Sequence, residues 1–111
     1  MPMNTEIRDK WVNALESGLF KQGRFVLHNT KEDSYCCLGV LCRVLELPEA
    51  FDAKDRGFFM MEDGIEQDTL LSEAQLQAAG LTIDDHMDLA DFNDWEGWKF
   101  PQIAKYIREN Y

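Results

Sequence analysis

The chain has 111 residues, 45% of them hydrophobic and 12% aromatic, enough for one domain with its own core. Its formal net charge of −10 argues against a direct grip on nucleic-acid phosphates, which draws on Lys and Arg. No apolar run approaches the roughly 20 residues that span a bilayer, and the first six residues lack the basic-then-apolar order of a secretory signal.

In chain order, Asn4 or Thr5 can cap a first helix whose apolar face is Ile7, Trp11, Val12 and Leu15, with Gly18 as its stop. Phe20 folds back on that face. Lys21-Gln22-Gly23 reads as a turn, and Arg24 to His28 has the β-branched and aromatic character of a short strand. The long apolar run Ser34 to Pro48 holds all three cysteines. Ser34 is a suitable N-cap and Pro48 disfavours helical dihedrals at Leu47, so the spacing predicts a central helix from about Tyr35 to Glu46. A strand start at Tyr35 to Cys37 is the alternative.

Residues 49–57 read as irregular, anchored by Phe51. The runs Gly57–Met61 and Ile65–Leu70 flank Glu62-Asp63-Gly64, a hairpin signal. Ser72 and Gln75 form a capping box for a short helix that stops at Gly80. A second short helix spans about Asp84 to Phe92. A last one starts at Pro101, with Phe100, Ile103, Ala104 and Ile107 as its inward stripe.

The charge is uneven. Residues 1–40 hold five acids and five bases, so residues 41–111 hold sixteen acids against six bases. Asp84, Asp88 and Asp91 share one helix face at spacings of four and three, with no intervening base. A calcium loop starting at Asp91 fails, because Trp95 and Glu96 stand where an oxygen ligand and a glycine are needed. Glycosidase-type carboxylate chemistry lacks an evident sugar cleft.

Cys36, Cys37 and Cys42 read as buried small hydrophobes of a reducing compartment. Zinc would need His28 or His86 as fourth ligand, and both are isolated in sequence. Cysteine catalysis would need His28 beside the helix start. No cofactor and no metal are expected. The polar-aromatic stretch Asn93-Asp94-Trp95-Glu96-Gly97-Trp98 can either cap the core or line a pocket.

Three stretches carry a resemblance: Trp11-Val12-Asn13-Ala14-Leu15-Glu16-Ser17-Gly18, Tyr35-Cys36-Cys37-Leu38-Gly39-Val40-Leu41-Cys42, and Leu89-Ala90-Asp91-Phe92-Asn93-Asp94 followed by Phe100, Ile103 and Ala104. Together they resemble a family of small bacteriophage and prophage proteins. The resemblance spans residues 11–42 and 89–107 and leaves 48–88 uncovered. The turn after Asn93-Asp94 is one residue longer here, with two tryptophans and a proline. The resemblance implies a phage origin and a host-cytoplasm setting, and names no reaction.

The sequence is thus expected to form a compact, helix-rich α+β single domain, residues 1–111, with a central apolar helix and a small β-hairpin. Its expected role is that of a non-enzymatic phage accessory protein, without membrane or direct nucleic-acid contact. In the first reading Asp84, Asp88 and Asp91 dock on a basic host protein and block it, a counter-defence role. In the second, Asn93, Asp94, Trp95, Trp98 and Tyr35 line a pocket for a nucleotide-like small molecule. An enzyme ranks third, and a homo-oligomer is compatible with either binding reading.

Overall fold

The computed structural model describes residues 4–24, 26–46, 49–51, 57–60, 66–67, 76–77 and 79–111. Helix α1 (Thr5–Glu16) starts as its sequence demands. The Asn4 carboxamide oxygen accepts from the Ile7 amide at 3.1 Å, and Glu6 sits in the positive first turn. Gly18, at φ +77°, takes the left-handed position after the cap and ends it. Trp11, Val12 and Leu15 are buried, and Ile7 packs partly exposed beside them.

Two corrections follow at once. Lys21–Gln22, read as part of a turn, is a strand, β1, and the expected strand of residues 24–28 is only its end, β2 (His28–Asn29). Ser34–Tyr35 forms β3, which lies between them, parallel to β1 and antiparallel to β2. An isolated pair of two-residue strands has almost no intrinsic stability. Here the strands are held by the helices that follow, which is why the sequence pattern does not announce them.

The central helix is real but shorter than expected. Helix α2 (Cys37–Val44) buries every residue from Cys37 to Cys42. It packs on α1 and on α3 (Ile83–Asp94). Its N-cap is Cys36 rather than Ser34, which lies in β3; of the strand-first alternative over Tyr35 to Cys37, only Tyr35 is strand, and Cys37 is already helical. The helix ends at Val44 with Leu45 as its C-cap, and Glu46 at φ +57° follows as a left-handed stop before Pro48.

Gly39 permits α2 to lie against the chain before β2. A Cβ there would overlap the Leu27 carbonyl oxygen, a backbone atom with nowhere to go.

Residues 49–51, read as irregular, form strand β4 (Glu49–Phe51). It pairs antiparallel with β5 (Gly57–Met60), and β5 pairs antiparallel with β6 (Glu66–Gln67) in the register Phe59↔Gln67 and Met60↔Glu66. The β5–β6 pair is the hairpin expected from the Asp63-Gly64 signal. The Ser72–Gln75 capping box lies outside the described residues. Gly80, at φ +82°, occupies the expected stop position, and its amide donates to the Gln77 carbonyl.

Helix α3 opens one residue earlier than the expected Asp84 and runs two residues past the expected Phe92. Thr82 is its N-cap: the Thr82 hydroxyl accepts from the Asp85 amide, and the Asp85 carboxylate accepts from the Thr82 amide, both at 3.1 Å. Helix α4 (Phe100–Asn110) carries Pro101 in its first turn. Phe100, Ile103, Ala104 and Ile107 are all buried, and this stripe packs on α1. Arg108 on α4 pairs with Glu16 on α1 at 2.6 Å. The protein is therefore a helix-rich α+β fold, with four helices and two small three-stranded sheets among the described residues.

Replacing Gly39 with Ala should cost about 3 kcal/mol, the upper range for overpacking, because the obstruction is backbone and not a flexible side chain. Urea denaturation measures this as a lowered midpoint with the slope unchanged.

Candidate functional site

Helix α2 begins in the dry interior with no side-chain cap of its own. Its first amide, Cys37 N–H, would be an unsatisfied donor there. The missing acceptor comes from Asn93 on α3, whose carboxamide oxygen accepts from Cys37 N–H at 3.2 Å and from Gln22 Nε2 at 2.9 Å. Asn93 Nδ2 donates to the Gly23 carbonyl at 2.9 Å and to Asp94 Oδ1 at 2.8 Å. Both donors and both acceptor positions of this fully buried amide are thus in use.

Gln22 extends the same network. Its Nε2 also donates to the Trp98 carbonyl at 2.7 Å, and its Oε1 accepts from the Phe100 amide at 3.1 Å. Two carboxamides therefore join β1, the start of α2, the end of α3 and the start of α4. Trp11 adds a third link from α1, since its indole N–H donates to the Cys37 carbonyl at 2.9 Å. The Cys37 thiol donates to the Leu89 carbonyl at 3.6 Å. The three stretches that carry the sequence resemblance meet at Cys37.

The five residues expected to line a ligand site take different places in the fold. Asn93 has no hydrogen-bonding capacity left for a ligand. Tyr35 is buried and its ring stacks on His28, with centroids 4.0 Å apart and planes at 6°, while Phe20 meets it edge-on. Trp98 stacks on Phe92 at 4.0 Å and 8° and meets Tyr106 edge-on. Trp95, by contrast, is 74% exposed. Asp94 lies half-buried near the start of α2, where it accepts from Asn93. One base does join the turn: the Arg24 guanidinium packs against Gly97, which adopts φ +72°.

The cysteines are all buried and unbridged. Burial pushes the Cys36 thiol up to about 12 and raises Cys37 well above its usual value, and Asp94 adds to both shifts. His28 and Cys36 lie on opposite faces of the β2–β3 pair. The β2–β3 register pairs His28 with Tyr35, and the Cys36 amide bonds the Leu27 carbonyl. Alternation along the strands then puts His28 and Tyr35 on one face and Leu27 and Cys36 on the other. His28 Nε2 instead lies 3.0 Å from Asp33, a turn residue at φ +52°. Among the described residues, no group of three or more His, Cys, Asp or Glu side chains is placed to hold a metal ion.

A family model for a domain of unknown function, DUF8296, matches residues 3–59, half of the chain. The chain belongs to the DUF8296 family. The match covers α1, the first sheet, α2 and its backbone neighbours up to β5, so it includes Trp11, Gly39 and the cysteines but not Asn93. Neither curated proteins nor solved structures return a match. The architecture of this DUF8296 member explains its most distinctive block: Cys37 and Gly39 are packing and hydrogen-bonding positions.

The acidic residues fare differently. Asp84, Asp88 and Asp91 are all exposed and share the outer arc of α3. Two apolar side chains stand in the same arc, Ile83 at 59% and Met87 at 45% exposure. Sequence reasoning missed this pair, because a helical apolar residue is ordinarily assigned to the core. The inward face of α3 is instead His86, Leu89 and Asn93, all buried. A groove of about 300 Å³ adjoins the helix start, lined by Leu76, Gln77, Leu81, Thr82, Ile83 and Asp84.

Asn93→Asp should destabilise the fold by about 3 kcal/mol or more, since it removes two donors and buries a carboxyl beside Asp94. That carboxyl would have a folded-state pKa raised above its unfolded value of about 4, so the defect grows as pH rises from about 4 toward the folded value and levels off above it. Chemical denaturation across pH checks both parts. Trp98→Ala should lower stability by about 3 kcal/mol, whereas Trp95→Ala should stay within about 0.5 kcal/mol. Melting temperatures of the two variants measure that contrast.

Proposed function

We propose that the chain is a non-enzymatic binding protein that holds a basic protein surface on the outer face of α3. The observation that carries this reading is the composition of that face. Asp84, Asp88 and Asp91 present three carboxylates toward solvent, with Ile83 and Met87 along one side of them. Helix α3 contains five aspartates and no Lys or Arg, so nothing on the helix itself neutralises them. Such a field accelerates encounter with a positively charged partner, and the exposed apolar atoms supply area that gains from being covered.

The setting we propose is a bacterial host cytoplasm occupied by a phage-derived protein that blocks its target, a counter-defence role. The sequence resemblance to phage and prophage proteins supports that setting. Among the described residues no helix is long and apolar enough to cross a membrane.

A second reading, a nucleotide-like ligand at the Trp95–Trp98 turn, has one favourable observation. Arg24 at Gly97 brings a base to the turn that carries the exposed Trp95. It ranks second because Asn93 is committed to the interior and Phe92 covers a face of Trp98.

Replacing Asp84, Asp88 and Asp91 together with Asn should leave the fold intact and slow association with the partner, most strongly at low salt. Immobilised wild-type and triple-variant proteins, each exposed to bacterial lysate at low and high salt, give the comparison. Proteins retained by wild type, released by salt and lost in the triple variant are the expected result. Equal retention by both proteins would remove this face from the interface.

A further inference from the structure

Resting on the acidic-face reading, we infer that the partner element is a basic amphipathic helix, anchored by an apolar side chain in the groove between Leu76 and Ile83. Leu76 and Leu81 are buried at 3% and 5% exposure and make the apolar floor. The Leu81 amide donates to the Leu76 carbonyl at 2.9 Å, which closes the backbone there and leaves side chains to line the opening. Ile83 and Asp84 stand at the rim, one apolar and one charged. Ile83 and Met87 are four residues apart, so they continue the apolar surface along α3 as a ridge. Asp84, Asp88 and Asp91 line one side of that ridge.

The geometry selects the occupant. The backbone groups of α3 are used inside the helix, so the face offers no free edge for an added strand, and recognition rests on side chains. A helix laid across a helix presents apolar residues at three- and four-residue spacing, which matches Ile83 and Met87. Charge then excludes the other coverings. An anionic membrane surface repels three carboxylates, and a second copy of a chain with net charge −10 brings further like charge to the same face. A helix with lysines or arginines beside its apolar stripe satisfies both parts of the surface.

A fluorescent synthetic peptide that places leucines on one helical face and lysines on the other is the direct probe. Its controls are a scrambled peptide of the same composition and a version with glutamine for lysine. Anisotropy titrations should show the amphipathic peptide binding at least about tenfold more tightly than either control. Ile83→Ser and Met87→Ser, both at exposed positions and verified as folded by circular dichroism, should weaken it severalfold at any salt. Asp88→Asn should weaken it at low salt and little at high salt.

Equal binding of the amphipathic and scrambled peptides, with loss in the triple Asp-to-Asn variant, would overturn the groove-anchored helix while leaving the acidic face as the interface. Binding of neither lysine peptide at low salt would overturn both. Equal binding of the glutamine version, or indifference to Ile83→Ser and Met87→Ser, would overturn the inference. Concentration-dependent self-association abolished by Ile83→Ser would assign the face to a second copy and overturn it as well.

Discussion

A buried carboxamide stands at the centre of this fold because a helix cannot begin in a dry interior without an acceptor for its first amide. Helix α2 starts at Cys37, a residue with no exposed surface, and Cys36 supplies no side-chain cap. Asn93 reaches that amide from α3 and spends its remaining capacity on Gln22, Gly23 and Asp94. Removing either end of such a link leaves a buried polar group unpaired, which costs more than the bond itself contributes. The relative placement of β1, α2, α3 and the start of α4 therefore depends on two amide side chains.

That requirement divides α3 into two faces with different roles. Its inner face holds Leu89 under the Cys37 thiol and Asn93 under the Cys37 amide, so those positions answer to packing. Its outer face is exposed, and there the chain places Asp84, Asp88 and Asp91 with Ile83 and Met87. The two tryptophans after the helix separate in the same way. Trp98 turns inward to Phe92 and Tyr106, while Trp95 faces solvent. The thiols follow the inner pattern: burial raises Cys36 and Cys37, which keeps them protonated and poorly nucleophilic at neutral pH.

Helix α1 was legible from residues 4–18 alone, because a cap, an apolar stripe and a stop lie close together there, and α4 from Pro101 and the apolar stripe of residues 100–107. The buried run of α2 and the Asp-Gly hairpin were legible because their signals, a continuous apolar stretch and a turn dipeptide between two runs, are likewise local. The Thr82 box was local as well, but its third-position acid is Asp85 rather than Glu or Gln, and the cluster of aspartates drew the helix start to Asp84. What tertiary structure alone decided are the contacts between distant segments. Lys21–Gln22 becomes a strand only because Ser34–Tyr35 lies beside it, and Ser34 gives up the cap because Asn93 arrives from the far end of the chain. Periodicity reports which face of a segment is apolar. It carries no information on which distant amide meets which buried donor, and that pairing is what removed Asn93 from the ligand site and left the outer face of α3 open.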